Sequence, residues 1–344
     1  MTVRAFVTGL AGTVLTPAER AFLRESEPWG LIVFKRNIGT PSQVARLTAS
    51  FRDAVGRDAP VLVDQEGGRV QRLGPPHWPA YPAGAAYGRV YDRDPALGRT
   101  AAHLGALLIA TDLTAVGIDV DCLPIADVSI AGANPVIGDR AYGETAEKVA
   151  SLARALADGL LAGGVLPVLK HIPGHGRAGA DSHDALPVVE SDRATLLRTD
   201  FAAFQPLSDL PLGMTAHVVY TAFDPIAPAT TSATVVRDVI RGLLGFRGLL
   251  MSDDVSMEAL SGSIAARASA AISAGCDAVL HCNGKLEEMQ AVASAVPVLI
   301  GSAAERAEAA LAQRKPILRH DLGALRAEWA ALMDAPAGAG RAVS

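Results

Sequence analysis

Short apolar runs alternate along the chain with longer stretches in which apolar residues recur at a helical period. Each run is almost wholly apolar, which is typical of a parallel strand that is buried on both faces. The predicted strands are Arg4–Val7, Gly30–Phe34, Pro60–Val63, Ile118–Leu123, Leu166–Leu169, Leu212–Met214, Gly248–Met251 and Asp277–Leu280. The predicted helices include Pro41–Val55, Pro95–Ala115, Ala146–Ala162, Ala233–Leu244 and Ser263–Ala274.

The alternation of strand and helix predicts an α/β fold with a parallel sheet and helices outside it. Eight strand candidates favour a single (β/α)₈ barrel of the TIM type over an open doubly wound sheet, although the segment Leu210–Met214 has the weakest strand pattern. We expect residues 1–333 to form the catalytic barrel and residues 334–344 to form a flexible C-terminal tail. Gly67–Val90 is rich in glycine, proline and aromatic residues and is predicted to be a long loop.

Charge and cysteine content limit the classes of binding partner and the cellular compartment that we expect for this protein. The 344 residues carry a net charge of −5 without a run of like charge, so no nucleic-acid or membrane partner is expected. The three cysteines, Cys122, Cys276 and Cys282, include no C-x-x-C pair and make a poor disulfide framework. The N-terminus is too polar for a signal peptide, and no apolar stretch reaches the roughly 18 residues that span a bilayer. These features predict a cytoplasmic protein.

Titratable residues follow several of the predicted strands. Asp64 to Arg69 follow the third strand, Lys170 and His171 the fifth, His217 the sixth, and Ser252 to Asp254 the seventh. In a (β/α)₈ barrel, the loops at the carboxyl ends of the strands converge and carry the chemistry. Loops are usually polar, so any one of these segments means little. Their coincidence at one face of the barrel predicts an active site.

The segment Asp181-Ser182-His183 has the spacing of an acid/base pair. Side chains at i and i+2 of an extended segment share a face, so Asp181 can bond the imidazole and fix its tautomer. That arrangement suits His183 as a proton donor near neutral pH. A metal site made of His171, His175 and His183 is the alternative, since histidine and carboxylate suit zinc or iron. These histidines are spread through a glycine-rich loop, however, and the chain has no H-E-x-x-H motif.

The stretch from Gly174 to Gly179 matches G-x-G-x-x-G and follows a predicted strand. A dinucleotide-binding fingerprint needs a helix that opens on these glycines, and no helical period begins there. We interpret the glycines as the shapers of a tight loop that brings backbone close to a ligand.

Asp253 and Asp254 adjoin the end of the seventh strand. Neighbouring residues of a strand point to opposite faces, so only one of the two can face the barrel axis. A carboxylate there could attack an anomeric carbon and form a glycosyl-enzyme, whereas the other could cap a helix or brace the loop. Asp64 is suited to accept hydrogen bonds from sugar hydroxyls. Lys170, if buried, requires a carboxylate partner from a neighbouring strand end.

Together, these segments resemble the β-N-acetylglucosaminidases of glycoside hydrolase family 3, and in particular the single-domain bacterial type of peptidoglycan recycling. The most specific match is Lys170-His-Ile-Pro-Gly-His-Gly176 followed by Asp181-Ser-His183, in which Ile172 stands where the family usually has Phe. The further matches are Val63 to Arg72, Leu123 to Val128, Ile137 to Arg140, Met214 to His217 and Ser252 to Met257.

The resemblance implies a (β/α)₈ fold and a role for each matching residue. Asp253 matches the nucleophile, and His183 matches a histidine acid/base that is paired with Asp181. The residues implied to hold the non-reducing N-acetylglucosamine are Asp64, Arg72, Arg140, Lys170 and His171, with His217 as an addition. The implied substrate is N-acetylglucosamine on 1,6-anhydro-N-acetylmuramic acid, with no metal or cofactor. Another family 3 glycosidase or a phosphorylase, a metal-dependent hydrolase and a non-catalytic sugar-binding barrel are the alternatives.

Overall fold

Eight parallel strands close into a barrel in which each strand pairs with its neighbours in chain order. The structure is a computed structural model and describes residues 2–182, 185–314 and 321–334. The barrel strands are β1 (Arg4–Thr8), β2 (Pro28–Val33), β3 (Val61–Val63), β4 (Val120–Asp121), β5 (Leu166–Ile172), β6 (Leu212–Thr215), β7 (Leu249–Asp254) and β8 (Ala278–His281). Each of the eight predicted strands coincides with one of them, so the (β/α)₈ prediction is confirmed, including its weak sixth strand.

Helices surround the barrel, as the periodic stretches predict. They are α1 (Pro17–Ser26), α2 (Pro41–Val55), α3 (Gly84–Arg93), α4 (Pro95–Thr114), α5 (Ala146–Ala162), α6 (Arg193–Arg198), α7 (Ile264–Ala274), α8 (Leu286–Ala295), α9 (Gly301–Leu311) and α10 (Leu322–Asp334). A π-helical segment, Val235–Leu243, takes the place of the predicted helix Ala233–Leu244.

Local capping explains why several helix boundaries are readable from the sequence. Before α2, the Thr40 hydroxyl accepts the Gln43 N–H and Pro41 occupies the first turn. Before α4, the Asp94 carboxylate accepts the N–H groups of Ala96 and Leu97. These side chains satisfy donors that the first helical turn leaves unpaired, and each such cap stabilises a helix by about 1 kcal/mol.

Two apolar layers lie on either side of the sheet. The larger fills the space between barrel and helices, and the smaller fills the barrel interior. The interior layer takes every second residue of a strand, as in Leu166 and Val168 of β5 or Leu249 and Met251 of β7. Fully burying such a side chain stabilises the fold by roughly 1.5–3 kcal/mol.

The segment Gly67–Val90 is more ordered than predicted, and the prediction of a long loop is wrong at both ends. A short antiparallel pair joins Gln65–Gly67 to Val70–Gln71, and α3 begins at Gly84. The cause is tertiary packing. A Cβ atom on Gly84 would lie 2.1 Å from the Arg140 carbonyl oxygen, and one on Gly88 would lie 2.0 Å from that of Tyr142. Glycine therefore serves here for close approach of a helix to backbone.

The remaining expectations concern the cysteines and the chain ends. All three cysteines are buried and free. Within the described ranges, no helix is long and apolar enough to cross a membrane. Asp334 is the last residue of α10, and the rest of the predicted tail lies outside the described residues.

Candidate active site

A cavity of about 280 Å³ opens at the carboxyl ends of the barrel strands. Seven of the nine predicted site residues line it. They are Asp64, Arg72, Arg140, Lys170, His171, Asp181 and Asp253. His217 lies near the cavity but does not line it, and His183 lies outside the described residues. The structure thus gathers residues from more than half the length of the chain at one end of the barrel.

The alternation of the strands explains why these side chains face the axis. Val168 points into the barrel, and the same face recurs two residues later at Lys170. The same step leads from Leu62 to Asp64. On β7, it leads from the interior residue Met251 to Asp253, so the first acid of the pair, and not the second, continues the inward face.

Lys170 lies between two carboxylates at the floor of the cavity. Its Nζ atom is 2.9 Å from Asp64 Oδ1 and 2.7 Å from Glu66 Oε1, and only 3% of its side chain is exposed. Burial lowers the pKa of a lysine, but the two carboxylates outweigh burial and raise the pKa of Lys170 above its usual value. Lys170 is therefore a permanent cation. Asp64 and Glu66 both supply the carboxylate partner that a buried lysine requires.

Asp64 is the second member of this charged floor. Its Oδ2 atom accepts a hydrogen bond from Arg72 at 2.9 Å. Burial raises the pKa of a carboxyl group, but the charges of Lys170 and Arg72 outweigh it and hold the pKa of Asp64 well below its usual range. Asp64 is thus an ionised acceptor whose two oxygens point toward cations at the cavity wall.

Glu66 belongs to the site although the sequence analysis assigned it no role. It accepts two hydrogen bonds of 2.8 Å from the Arg140 guanidinium, in the bidentate geometry that makes such pairs strong. Lys170 and Arg140 together hold the pKa of Glu66 below its usual value against the effect of burial. The available signal was its position two residues after Asp64, on the same face of an extended segment.

Asp127 is the other residue that the sequence analysis missed. It is fully buried, its Oδ2 atom lies 2.7 Å from His171 Nδ1, and its Oδ1 atom accepts the His175 N–H at 2.6 Å. The carboxylate thus orients the His171 ring and ties down the start of the following loop. Its signal in the sequence was an acidic residue in the otherwise apolar stretch Leu123–Val128.

The two adjacent acids at the end of β7 have different surroundings. Asp254 is engaged by its own loop, because its carboxylate accepts hydrogen bonds from Ser256 N (3.0 Å), Ser256 Oγ (2.7 Å) and Cys282 N (3.1 Å). Asp253 accepts the Asp254 N–H at 2.8 Å and faces the cavity. Both acids line the cavity, but the Asp254 carboxylate is engaged in loop contacts that Asp253 does not make.

The electrostatic surroundings of Asp253 keep it ionised. Burial alone raises the pKa of a carboxyl group, but the imidazoles of His217 and His171, the Asp254 N–H and the Lys170 ammonium outweigh burial. The pKa of Asp253 is consequently lower than usual. An anion at this position can act as a nucleophile without first losing a proton.

The loop that carries Asp181 is fastened to the barrel at Ser182. The Ser182 hydroxyl lies 3.2 Å from His175 Nε2, and the Ser182 carbonyl accepts the Ala259 N–H at 3.2 Å. Burial, followed by the nearby His171, lowers the pKa of His175 to about 4, so this imidazole is neutral at physiological pH. The two contacts hold Asp181 at the wall of the cavity.

The metal alternative requires a cluster of ligands, and the described part of the chain offers none: no group of three or more histidine, cysteine, aspartate or glutamate side chains there is arranged to hold a metal ion. One ring nitrogen of His171 is engaged by Asp127, and one of His175 by Ser182. What the arrangement can do directly is bind a polyhydroxylated ligand through fixed charges and present it to an ionised carboxylate.

A barrel whose cavity combines fixed charges with an ionised carboxylate at the end of β7 is typical of a glycoside hydrolase. The Glycosyl hydrolase family 3 N terminal domain matches residues 13–313. The chain therefore belongs to glycoside hydrolase family 3, as the motifs implied.

Comparison with individual proteins narrows the assignment within this family. The β-hexosaminidase of Bordetella avium is 42% identical over 278 residues, which are 80% of this chain and 79% of that protein. NagZ from Neisseria gonorrhoeae superposes with a TM-score of 0.86 at 31% identity, over 97% of this chain and 98% of that one, and has also been solved in complex with N-trifluoroacetyl-D-glucosamine. The chain spans 63% of the family 3 β-N-acetylglucosaminidase of a Paenibacillus species, with a TM-score of 0.79 and 32% identity. The chain is a β-hexosaminidase of the NagZ-like type.

Proposed function

We propose that the chain is a retaining exo-β-N-acetylglucosaminidase that removes non-reducing N-acetylglucosamine from peptidoglycan-derived muropeptides. The observation that carries this proposal is the placement of Asp253, an ionised carboxylate at the wall of the cavity beside Lys170 and His171. The cavity volume of about 280 Å³ lies at the lower end of small-molecule sites, which suits one sugar ring better than a chain.

In the proposed mechanism, Asp253 attacks C1 of the bound sugar and forms a covalent glycosyl-enzyme while the leaving oxygen is protonated. Water then attacks the same carbon from the face that the leaving group vacated, which returns the original configuration. His183, paired with Asp181, is the proposed proton donor and later the base. This role rests on the family motif, and Asp181 at the cavity wall supports it.

The proposed sugar contacts use the fixed charges of the floor. Asp64 accepts hydrogen bonds from hydroxyl groups, whereas Lys170, Arg72 and Arg140 donate to sugar oxygens. His171 presents to the cavity the ring nitrogen that Asp127 does not hold. The choice of N-acetylglucosamine is supported by the N-trifluoroacetyl-D-glucosamine complex of the Neisseria protein. The anhydro-N-acetylmuramic acid leaving group follows from the resemblance alone.

The decisive experiment measures release of p-nitrophenol from its β-N-acetylglucosaminide by wild type, Asp253→Ala and Asp254→Asn. We expect Asp253→Ala to lose activity by roughly 10⁴-fold or more. Azide, which fits the space left by the carboxylate, should restore turnover in Asp253→Ala alone and yield the α-azide. Full activity of Asp253→Ala would refute the proposed nucleophile.

The substrate and the acceptor are tested with the wild-type enzyme. GlcNAc-1,6-anhydro-N-acetylmuramic acid should be cleaved with a higher kcat/KM than chitobiose. A phosphate titration that yields N-acetylglucosamine 1-phosphate as the main product would instead support the phosphorylase alternative.

A further inference from the structure

The loop after β6 places a buried histidine against the backbone of the nucleophile loop. His217 Nε2 lies 3.0 Å from the carbonyl oxygen of Asp254, the residue that follows the proposed nucleophile. We propose that His217 is a positioning residue that fixes the Asp253 carboxylate by holding this carbonyl. The proposal rests on the proposed function and gives His217 a role other than the sugar contact implied by the motif.

Both ring nitrogens of His217 are already engaged. Nδ1 lies 2.7 Å from the Thr230 hydroxyl, and Nε2 faces the Asp254 carbonyl. The residue has no exposed surface and is not part of the cavity lining. It therefore keeps no donor or acceptor for a sugar hydroxyl, but it is close enough to Asp253 to act on it through the loop.

The groups around the ring fix its orientation. The Asp254 carbonyl can only accept, so Nε2 carries a proton and donates to it. On the other side, Thr230 Oγ1 lies 2.7 Å from Nδ1 and 2.8 Å from the Thr215 hydroxyl, and it donates to the Ala216 carbonyl at 3.1 Å. Burial lowers the pKa of His217.

Asp254 is held from three directions, and His217 supplies one of them. Its carboxylate accepts hydrogen bonds from Ser256 and from the N–H of Cys282, the residue that follows β8. Its own N–H donates to Asp253 Oδ1 at 2.8 Å. The His217 contact closes the remaining direction by holding the carbonyl. The Asp254 backbone is thus the support on which the orientation of the Asp253 carboxylate depends.

This arrangement predicts a specific kinetic signature. Loss of the contact between His217 and the Asp254 carbonyl leaves the proposed sugar contacts in place but no longer fixes the position of the Asp253 carboxylate. A displacement of about 1 Å from the attack geometry costs about 100-fold in rate. The effect should therefore appear in kcat and not in KM. A sugar-binding role would instead raise KM and weaken product binding.

The test compares His217→Leu, His217→Gln and Thr230→Val with wild type. Leucine removes the donor, and glutamine keeps an N–H that can reach the Asp254 carbonyl. Thr230→Val leaves that donor in place but removes the hydroxyl beside Nδ1, together with its bonds to Ala216 and Thr215. We expect His217→Leu to lose about 100-fold in kcat with KM within about threefold, and glutamine to recover at least about tenfold of that loss. The kcat of Thr230→Val should lie between those of wild type and His217→Leu. In every variant, the pH dependence of kcat/KM should keep both its acidic and its basic limb.

Two results would overturn the proposal. A rise in KM that matches the loss of kcat/KM would assign His217 to sugar binding. Equal losses in the leucine and glutamine variants, together with equal falls in melting temperature, would assign it to folding alone. Asp253→Ala, measured in the same assay, separates the two proposals: if it is inactive while His217→Leu is fully active, only the role of His217 fails.

Discussion

The Nδ1 atom of His171 lies 2.7 Å from Oδ2 of Asp127, a carboxylate with no exposed surface. The other oxygen of Asp127 accepts the backbone N–H groups of His171 (3.3 Å) and His175 (2.6 Å). Because the carboxylate can only accept, Nδ1 carries a proton, and the ring turns its Nε2 atom toward the cavity. One buried acid therefore sets both the orientation and the tautomer of a residue that lines the cavity.

Asp127→Asn tests this control. The amide oxygen can keep the backbone N–H groups only by turning its NH₂ group toward Nδ1, which forces the opposite tautomer on His171. Hydrogen bonds to charged groups contribute about 1.5–3 kcal/mol, so we expect kcat/KM to fall about 10- to 100-fold. Steady-state kinetics measures the loss, with Asp238→Asn on the exposed face of the π-helical segment as the control. Unchanged kinetics would show that Asp127 does not set the tautomer.

Lys170→Met removes the cation between Asp64 and Glu66. The two carboxylates then lose the cation that they share, and Asp64 keeps only Arg72 while Glu66 keeps only Arg140. Breaking a buried ion pair costs up to about 3–5 kcal/mol. Urea unfolding near pH 7 should show a decrease of this order in the free energy of unfolding. Lys285→Met, which removes a 70% exposed lysine, is the control and should change it little. A loss no larger than that of the control would contradict the prediction.

The same variant should change how stability depends on pH. In wild type, the pKa values of Asp64 and Glu66 are lowered, so their contribution is present above the unfolded pKa of about 4 and is lost as pH falls through the lower folded values. Without Lys170, only Arg72 opposes the effect of burial on Asp64 and only Arg140 opposes it on Glu66, so both pKa values should be higher than in wild type. The stability gap between wild type and Lys170→Met should therefore shrink as pH falls from 7 toward 4, and a constant gap would refute this.

Much of the site follows from the sequence because the strand pattern continues past each strand. Polar residues that directly follow an apolar strand lie at the carboxyl end of the barrel, and this places Asp64, Lys170 and the pair Asp253 and Asp254 at the site without any knowledge of their partners. The family motif, and not the strand pattern, singled out Asp253 from Asp254. The barrel was equally readable, since each strand is a nearly continuous apolar run.

Glu66, Asp127 and the tether of His217 were not readable, because their meaning lies in distant partners. Glu66 pairs with Arg140, 74 residues away, and Asp127 with His171, 44 residues away. An acid in a loop has the same local pattern whether it is solvated or buried against a cation. His217 shares the strand-end position of a sugar ligand, and only its two hydrogen-bond partners distinguish the tether from such a ligand.

Gly176→Ala tests the seating of the loop that carries Asp181. A Cβ atom at Gly176 would lie 1.8 Å from the Val128 carbonyl oxygen, so the loop must move away from Asp127 and its neighbours. Such overpacking costs about 1–3 kcal/mol, and a shift of about 1 Å at the site costs about 100-fold in kcat. Gly179→Ala, in the same loop, meets nothing within 4 Å and is the matched control. Equal activities of the two variants would contradict the prediction.

Removal of metal tests the hydrolase alternative built on His171, His175 and His183. Among the described residues, no group of three or more histidine, cysteine, aspartate or glutamate side chains is arranged to hold a metal ion. We therefore expect full activity after dialysis against EDTA, measured on the p-nitrophenyl substrate. A loss that zinc restores, with no loss in a dialysis control, would favour the metal-dependent mechanism.

Ser182→Ala tests whether the contact with His175 places the acid/base segment. The hydroxyl lies 3.2 Å from His175 Nε2, and its removal eliminates this contact. The hydrogen bond from the Ala259 N–H to the Ser182 carbonyl remains. Proton donation matters little for a nitrophenolate leaving group and greatly for a sugar alkoxide, because only the latter is a strong base. The loss in kcat/KM should therefore be about tenfold larger on a GlcNAc disaccharide than on the aryl substrate, within the range of general acid catalysis. Exposed Ser294→Ala is the control, and equal losses of Ser182→Ala on both substrates would show that the contact stabilises the loop without serving proton transfer.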